Sequence, residues 1–341
     1  MNIGIIKENA RKKMDGFCAI CKNCDGKWCA GKVPGMGGSG SGSGFQANYK
    51  SLENIKFVLK TIHTAKNPSL KIKLFGEELD FPVLGAPITG TKFNMGGGVT
   101  EIEFTHDVIT GCKNLKTIGM IGDTGDPTYF EAGLKAIREA NGHGIAIIKP
   151  RENDEIIKRI RMAEDSGAIA VGVDLDGAGL VTMSLFGQPV GPKSLEDLKI
   201  LVNSTKLPFI AKGIMSVDEA LLCIEAGVSA IVVSNHGGRV LDYAEGAADV
   251  LEEIADACNG KIKILADGNV RTGSDVLKYL ALGADGVLVG RPLIWGSIGG
   301  RCDGVEIILQ NLKNELYKNM ILTGSKDVNS ISKKIIKKNS K

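Results

Sequence analysis

A (β/α)8 barrel is the fold this sequence predicts, on three observations. Eight short runs rich in Val, Ile, Ala and Gly recur after Pro82, and an amphipathic stretch of about a dozen residues follows each. Their apolarity is continuous rather than alternating, which suits strands covered on both faces of a parallel sheet. Strand and helix then alternate as far as Met320, the length that such a barrel needs. An open doubly wound sheet is the alternative that the same alternation permits.

The runs are Pro82 to Pro87, Lys116 to Gly122, Gly144 to Pro150, Ala168 to Asp176, Leu207 to Ile214, Ala230 to Gly237, Lys263 to Val270 and Gly286 to Pro292. Between them, Asp154 to Ser166, Ser216 to Ala226 and Thr272 to Leu282 carry apolar residues at helical spacing. These three read as copies of one unit, a capped helix that ends on Gly167, Gly227 or Gly283 and feeds a strand. Residues 1–80 stand outside the repeat as an extension: a helix, a cysteine cluster, a glycine-serine run from Gly37 to Gly44, and a helix near Leu52 to Thr64. The barrel is expected over residues 81–324, and residues 325–341, with six Lys and no aromatic, are expected as a basic solvated tail. Gly37 to Gly44 and Gly96 to Gly98 are expected as flexible loops over the site.

Composition excludes several classes of function. Of the 341 residues, 43% are hydrophobic and 24% charged, ordinary values for a folded domain. The 42 basic residues against 39 acidic ones leave a charge of +3, which points to no nucleic acid and no acidic membrane surface. The chain meets charge too early for a secretory signal, and no apolar run approaches the roughly 20 residues of a membrane span. A cytoplasmic protein with reduced thiols is therefore expected, with Cys112, Cys223, Cys258 and Cys302 as small core residues. His63, His106 and His143 lack neighbouring ligand types at metal spacing and receive no role.

In a barrel of this kind chemistry gathers where strands end. The fourth strand closes on Asp174 and Asp176, the fifth on Lys212, and the sixth on Ser234-Asn-His236-Gly-Gly-Arg239. Asp267-Gly268-Asn269-Val270-Arg271 and Gly290-Arg291 follow the seventh and eighth strands. Barrels commonly bind phosphate there, because glycines let backbone N–H groups close on the anion while a guanidinium offers a bidentate fork. His236 offers a base beside the cation Arg239, Asp174 a carboxylate able to hold its imidazole, and Lys212 a positive charge at the barrel mouth.

Taken together, these residues resemble the FMN-dependent 2-hydroxy-acid oxidase and dehydrogenase family, which includes glycolate and lactate oxidases. The likeness runs from Gly38 to Ser332 and is strongest at Ser234-Asn-His-Gly-Gly-Arg239, with Ala86-Pro87, Lys212-Gly213, Asp267-Gly to Arg271 and Gly290-Arg-Pro292 also matching. The resemblance implies FMN and a homo-oligomer acting on a small 2-hydroxy acid, with His236 as base, Asp174 as its orienting partner and Arg239 on the substrate carboxylate. It further implies Ala86, Pro87, Ile88 and Thr89 along the flavin ring, Lys212 and Ser234 beside it, and Asp267, Gly268, Asn269, Arg271, Gly290 and Arg291 on the ribityl phosphate. Hydride then passes from substrate C2 to flavin N5 as His236 takes a proton.

The departures fall on the substrate side. Val240 stands where the family signature has Gln, and no aromatic occurs between Trp28 and Phe45, where a family Tyr is expected. A second family Tyr falls on Lys149, which is expected to serve the substrate as a point cation, and a flavin-contacting Gln falls on Ile147. No Arg lies between Arg161 and Arg239, where the family usually has another carboxylate clamp. An FMN-dependent isomerase or reductase, resembling type 2 isopentenyl-diphosphate isomerase, is the alternative enzyme. A flavin and iron-sulfur electron carrier that docks an acceptor protein is the non-catalytic one.

Cys18, Cys21, Cys24 and Cys29 crowd into twelve positions with gaps of two, two and four residues. Such spacing resembles ferredoxin ligation and brings thiols to one side of a turn, so an iron-sulfur cluster, a zinc ion and metal-free redox thiols are the readings it allows. The same four residues packing a glycine-rich extension is the structural reading.

Overall fold

The computed structural model describes residues 1–32 and 36–338; residues 33–35 of the N-terminal extension and 339–341 of the basic tail lie outside the described residues. Eight parallel strands close into a barrel; seven fall within the predicted runs, and the first overruns its own by one residue, Ile88. They are β1 (Val83–Ile88), β2 (Gly119–Gly122), β3 (Ile145–Ile148), β4 (Ala170–Asp174), β5 (Phe209–Ile214), β6 (Ala230–Val233), β7 (Lys263–Ala266) and β8 (Gly286–Val289). Each pairs with its sequence neighbours, and β8 closes on β1 through Leu288 opposite Leu84.

Most strand residues are fully buried, as continuous apolar runs require when helices cover one face and the barrel interior fills the other. The three repeat helices form at Asn153–Asp165, Val217–Glu225 and Gly273–Ala281. Thr272 caps the last through the amide of Asp275 and receives the Asp275 carboxylate in return, a reciprocal cap legible in the sequence. The register that sets Asp174 opposite Lys212 puts both at the C-terminal mouth of adjacent strands.

Three expectations outside the barrel are corrected. The second N-terminal helix spans Ser43–Glu53 rather than Leu52 to Thr64. It ends because Ile55–Phe57 pair antiparallel with Ile336–Lys338 near the chain's other end, so β-branched and aromatic residues that fit a helical period are used in a sheet. Residues 325–338 are consequently no solvated tail: they bury Val328 and Ile335 and cover residues of the extension, with Val328 donating its amide to Ser69. The glycine-serine run is fastened down rather than free. Ser39 donates its amide to the Gly238 carbonyl at 2.7 Å and its hydroxyl to the Arg239 carbonyl, while Ser41 bonds Asp242. Gly238 has φ +75°, and a Cβ there would meet the Phe45 amide nitrogen at 2.2 Å, so this backbone contact requires glycine.

Among the described residues no helix is long and apolar enough to cross a membrane.

Candidate active site

The barrel mouth carries a cavity of about 720 Å³, counting its open end. Ala86, Pro87 and Ile88 line it from the end of β1, Lys212 from β5, His236 and Arg239 from the loop after β6, Asp267 to Arg271 after β7, and Gly290 and Arg291 after β8. The residues predicted at separate strand ends thus converge on one space. Its size suits a nucleotide-sized cofactor.

The phosphate end is built from backbone and guanidinium. Gly268 has φ +112° and Asn269 φ +55°, a left-handed pair that turns the chain tightly after β7. Arg291 stacks over the Phe45 ring with 4.4 Å between its guanidinium carbon and the ring centre, and donates to the Gly237 carbonyl at 3.3 Å. Burial, together with the Arg271 charge, lowers the Arg291 guanidinium to about 10, the mark of two cations gathered where an anion is due. The Arg271 Nε and Asn269 Oδ1 are buried without a hydrogen-bond partner. Such groups are rare in native interiors and ask for a ligand. An anionic phosphate answers the Arg271 Nε, whereas the Asn269 Oδ1, itself an acceptor, asks for a donor.

At the other end, Lys212 Nζ lies 2.9 Å and Lys149 Nζ 2.5 Å from the two oxygens of Asp174. Burial would favour the neutral acid, but the charges of Lys149 and Lys212 and the Lys149 hydrogen bond hold Asp174 well below the usual carboxylate range. His236 Nδ1 sits 3.0 Å from Asp176 Oδ1 and 3.5 Å from Asp174 Oδ1. Burial raises the Asp176 carboxyl, and the neighbouring Asp174 charge adds to that rise against the pull of Lys212. Burial also lowers the His236 imidazole well below its ordinary value, overcoming the attraction of Asp174. The imidazole is thereby neutral near pH 7, and its Nδ1 is engaged while Nε2 remains for chemistry. Arg239 also lines the cavity, donates to Asn94 Oδ1 at 3.4 Å, and keeps its Nε buried without a partner.

Three expected placements change. Asp174 does not stand alone beside the His236 ring: its Oδ1 lies 3.5 Å from Nδ1 and also takes Lys212, while Asp176 Oδ1 lies nearer, at 3.0 Å. Lys149 is buried on Asp174 and does not line the cavity, so it sits apart from the expected substrate contact. Thr89 turns its hydroxyl to Glu101 at 2.6 Å, away from the cavity lining. Ser234 lies under the loop, its hydroxyl accepting the His236 amide at 3.1 Å. Met36, Asn94, Met95 and Ile294 line the cavity without having been singled out. Only Asp176 carried a sequence signal, a second carboxylate at the same strand end.

The cysteine segment lies beside the phosphate end. Arg271 Nη2 donates to the Cys24 Sγ at 3.2 Å. Cys18 is buried, the other three cysteines are partly buried, and all eight thiols of the chain are unpaired. Among the described residues, the one group of three metal-ligating side chains within 4.8 Å of one another is Asp174, Asp176 and His236, held together by the lysines and the imidazole proton.

Comparison with known proteins agrees with this geometry. A family model described as FMN-dependent dehydrogenase matches residues 35–184 and 182–338. A peroxisomal (S)-2-hydroxyacid oxidase of Arabidopsis thaliana is 43% identical over 321 residues, covering 84% of this chain and 86% of the relative. An L-lactate oxidase of Lentilactobacillus hilgardii is 30% identical over 318 residues, covering 86% of each. The crystal structure of mandelate oxidase superposes with a TM-score of 0.81 at 25% identity, covering 98% of this chain and 97% of that one.

Proposed function

From the premise that this chain belongs to the FMN-dependent dehydrogenase family, we propose that it oxidises a small 2-hydroxy acid of the lactate or glycolate class to the 2-oxo acid, with His236 as base. The chain is an FMN-dependent oxidoreductase. The observation that carries the residue assignment is the neutral, buried His236 set between a carboxylate on Nδ1 and the guanidinium of Arg239 at the mouth of one cavity.

The residues at hand fit the cofactor. Arg271, Arg291 and the left-handed Gly268-Asn269 turn would hold the ribityl phosphate, and Ala86 to Ile88 would flank the ring. Bound FMN supplies N5 as acceptor of the hydride leaving substrate C2. Arg239 binds and orients the substrate carboxylate, its Nε having no internal partner. His236 Nε2 takes the proton of the 2-hydroxyl, Asp176 holds the ring through Nδ1, and the ionised Asp174, 3.5 Å from the same nitrogen, stabilises the imidazolium that forms. Lys212, pushed up by Asp174 and its other acidic neighbours despite burial, keeps a fixed positive charge at the cavity wall where negative charge develops. The glycine-serine run, bonded to the Gly238 loop, keeps His236 and Arg239 in place.

The alternative isomerase reading lacks support in the comparisons, whose relatives are named as 2-hydroxyacid and lactate oxidases. Eight unpaired thiols support action in a reducing compartment such as the cytoplasm. The test is stoichiometric. Incubated without oxygen with L-lactate or glycolate, the holoenzyme forms one 2-oxo acid per flavin, about one equivalent; recovery of unchanged acid in every case contradicts the proposal.

A further inference from the structure

We propose that Cys18, Cys21, Cys24 and Cys29 ligate an iron-sulfur cluster against the phosphate end of the flavin site. Three observations point to it. The gaps of two, two and four residues place four thiols on one short segment, as cluster ligation requires. Hydrogen-bond donors already aim at the sulfurs, the Ile20 amide at Cys18 Sγ (3.4 Å) and Arg271 Nη2 at Cys24 Sγ (3.2 Å), as expected around thiolates bound to iron. Finally, the Trp295 indole is buried without a full hydrogen bond, and its N–H acts on the Cys18 sulfur. Trp295 lines a cavity of about 110 Å³ with Cys21, Cys24, Lys22 and Arg271.

Spacing between the sulfurs decides which metal fits. A tetrahedral zinc bound at about 2.3 Å holds its sulfurs roughly 3.8 Å apart. No three of these four sulfurs lie within 4.8 Å of one another. A cluster interposes its own iron and sulfide, so its ligands stand wider than those of zinc.

The site gives the reduced flavin a second outlet, a role that rests on the flavin reading above, whereas the site itself does not. Held there, a cluster would take the two electrons of the reduced flavin one at a time and pass them to two equivalents of a one-electron carrier protein. The protons go to solvent.

The full chain, purified without oxygen, is analysed for iron, acid-labile sulfide, zinc and flavin, together with Cys21→Ser and Cys302→Ser. About four irons and four sulfides per chain are expected, falling at least tenfold in Cys21→Ser and kept in Cys302→Ser, with flavin content unchanged in both. Stoichiometric zinc, or no metal beside a full complement of flavin, overturns the site. Electron paramagnetic resonance after anaerobic addition of L-lactate tests the outlet: a reduced-cluster signal supports it, and a bleached flavin beside an oxidised cluster removes it. Iron and sulfide present with a flavin that no hydroxy acid bleaches supports the site and counts against the oxidation reading alone.

Discussion

At the scale of single residues, the reaction turns on the protonation of His236. Catalysis needs the neutral ring, and burial keeps the folded-state value below the ordinary 6.5, so the base is present at pH 7 and is lost only as pH falls through that lowered value. The rate of flavin reduction is therefore expected to be flat from about pH 7 upward, with its acid limb below 6.5. An acid limb centred above 6.5, measured by stopped-flow reduction across pH, would contradict a buried neutral base. The two neighbouring aspartates separate by role. Asp176→Asn is expected to slow flavin reduction on the order of 10²-fold with KM little changed and to shift the acid limb, because the ring loses its partner. Asp174→Asn is expected instead to destabilise the fold by about 3 kcal/mol or more, since it leaves the buried ammonium groups of Lys149 and Lys212 without their carboxylate. Thermal unfolding of both variants distinguishes the two assignments.

At the scale of elements, what was legible in the sequence follows the range of the forces involved. The eight barrel strands and three helices come from local patterns, apolar runs and reciprocal caps, and they formed where expected. The strand-end residues were legible because the barrel itself brings strand ends together. What was not legible depends on partners far away in the chain. Ile55–Phe57 became a strand through pairing with Ile336–Lys338, and Phe45 became a platform for Arg291 only once the run from Gly37 to Gly44 docked on Gly238. Likewise the choice of Asp176 over Asp174 depends on where two lysine ammonium groups settle. The C-terminal segment carries a prediction at this scale. Deleting residues 325–341 uncovers the partner strand and removes the buried Val328 and Ile335; a loss of roughly 3 kcal/mol is expected, read as a lower Tm. An unchanged Tm would restore the solvated-tail reading.

At the scale of the whole molecule, the barrel supplies one mouth, and the extension completes it. Strand ends provide Lys212 and Asp174, loops provide His236, Arg239 and the phosphate turn, and the N-terminal segment adds Met36 to the lining and Cys24 beside Arg271. The division of the site into a phosphate end and an acid-base end matches what an FMN-dependent oxidation of a 2-hydroxy acid asks of a protein. The most direct measurement is anaerobic reduction of the bound flavin by L-lactate and by glycolate, followed by absorbance in the native chain and in His236→Ala side by side. The native flavin is expected to bleach with one of these acids, while His236→Ala retains its flavin spectrum and bleaches at least about 10²-fold more slowly. Equal bleaching rates in the two proteins, or a native flavin that neither acid reduces, would contradict it.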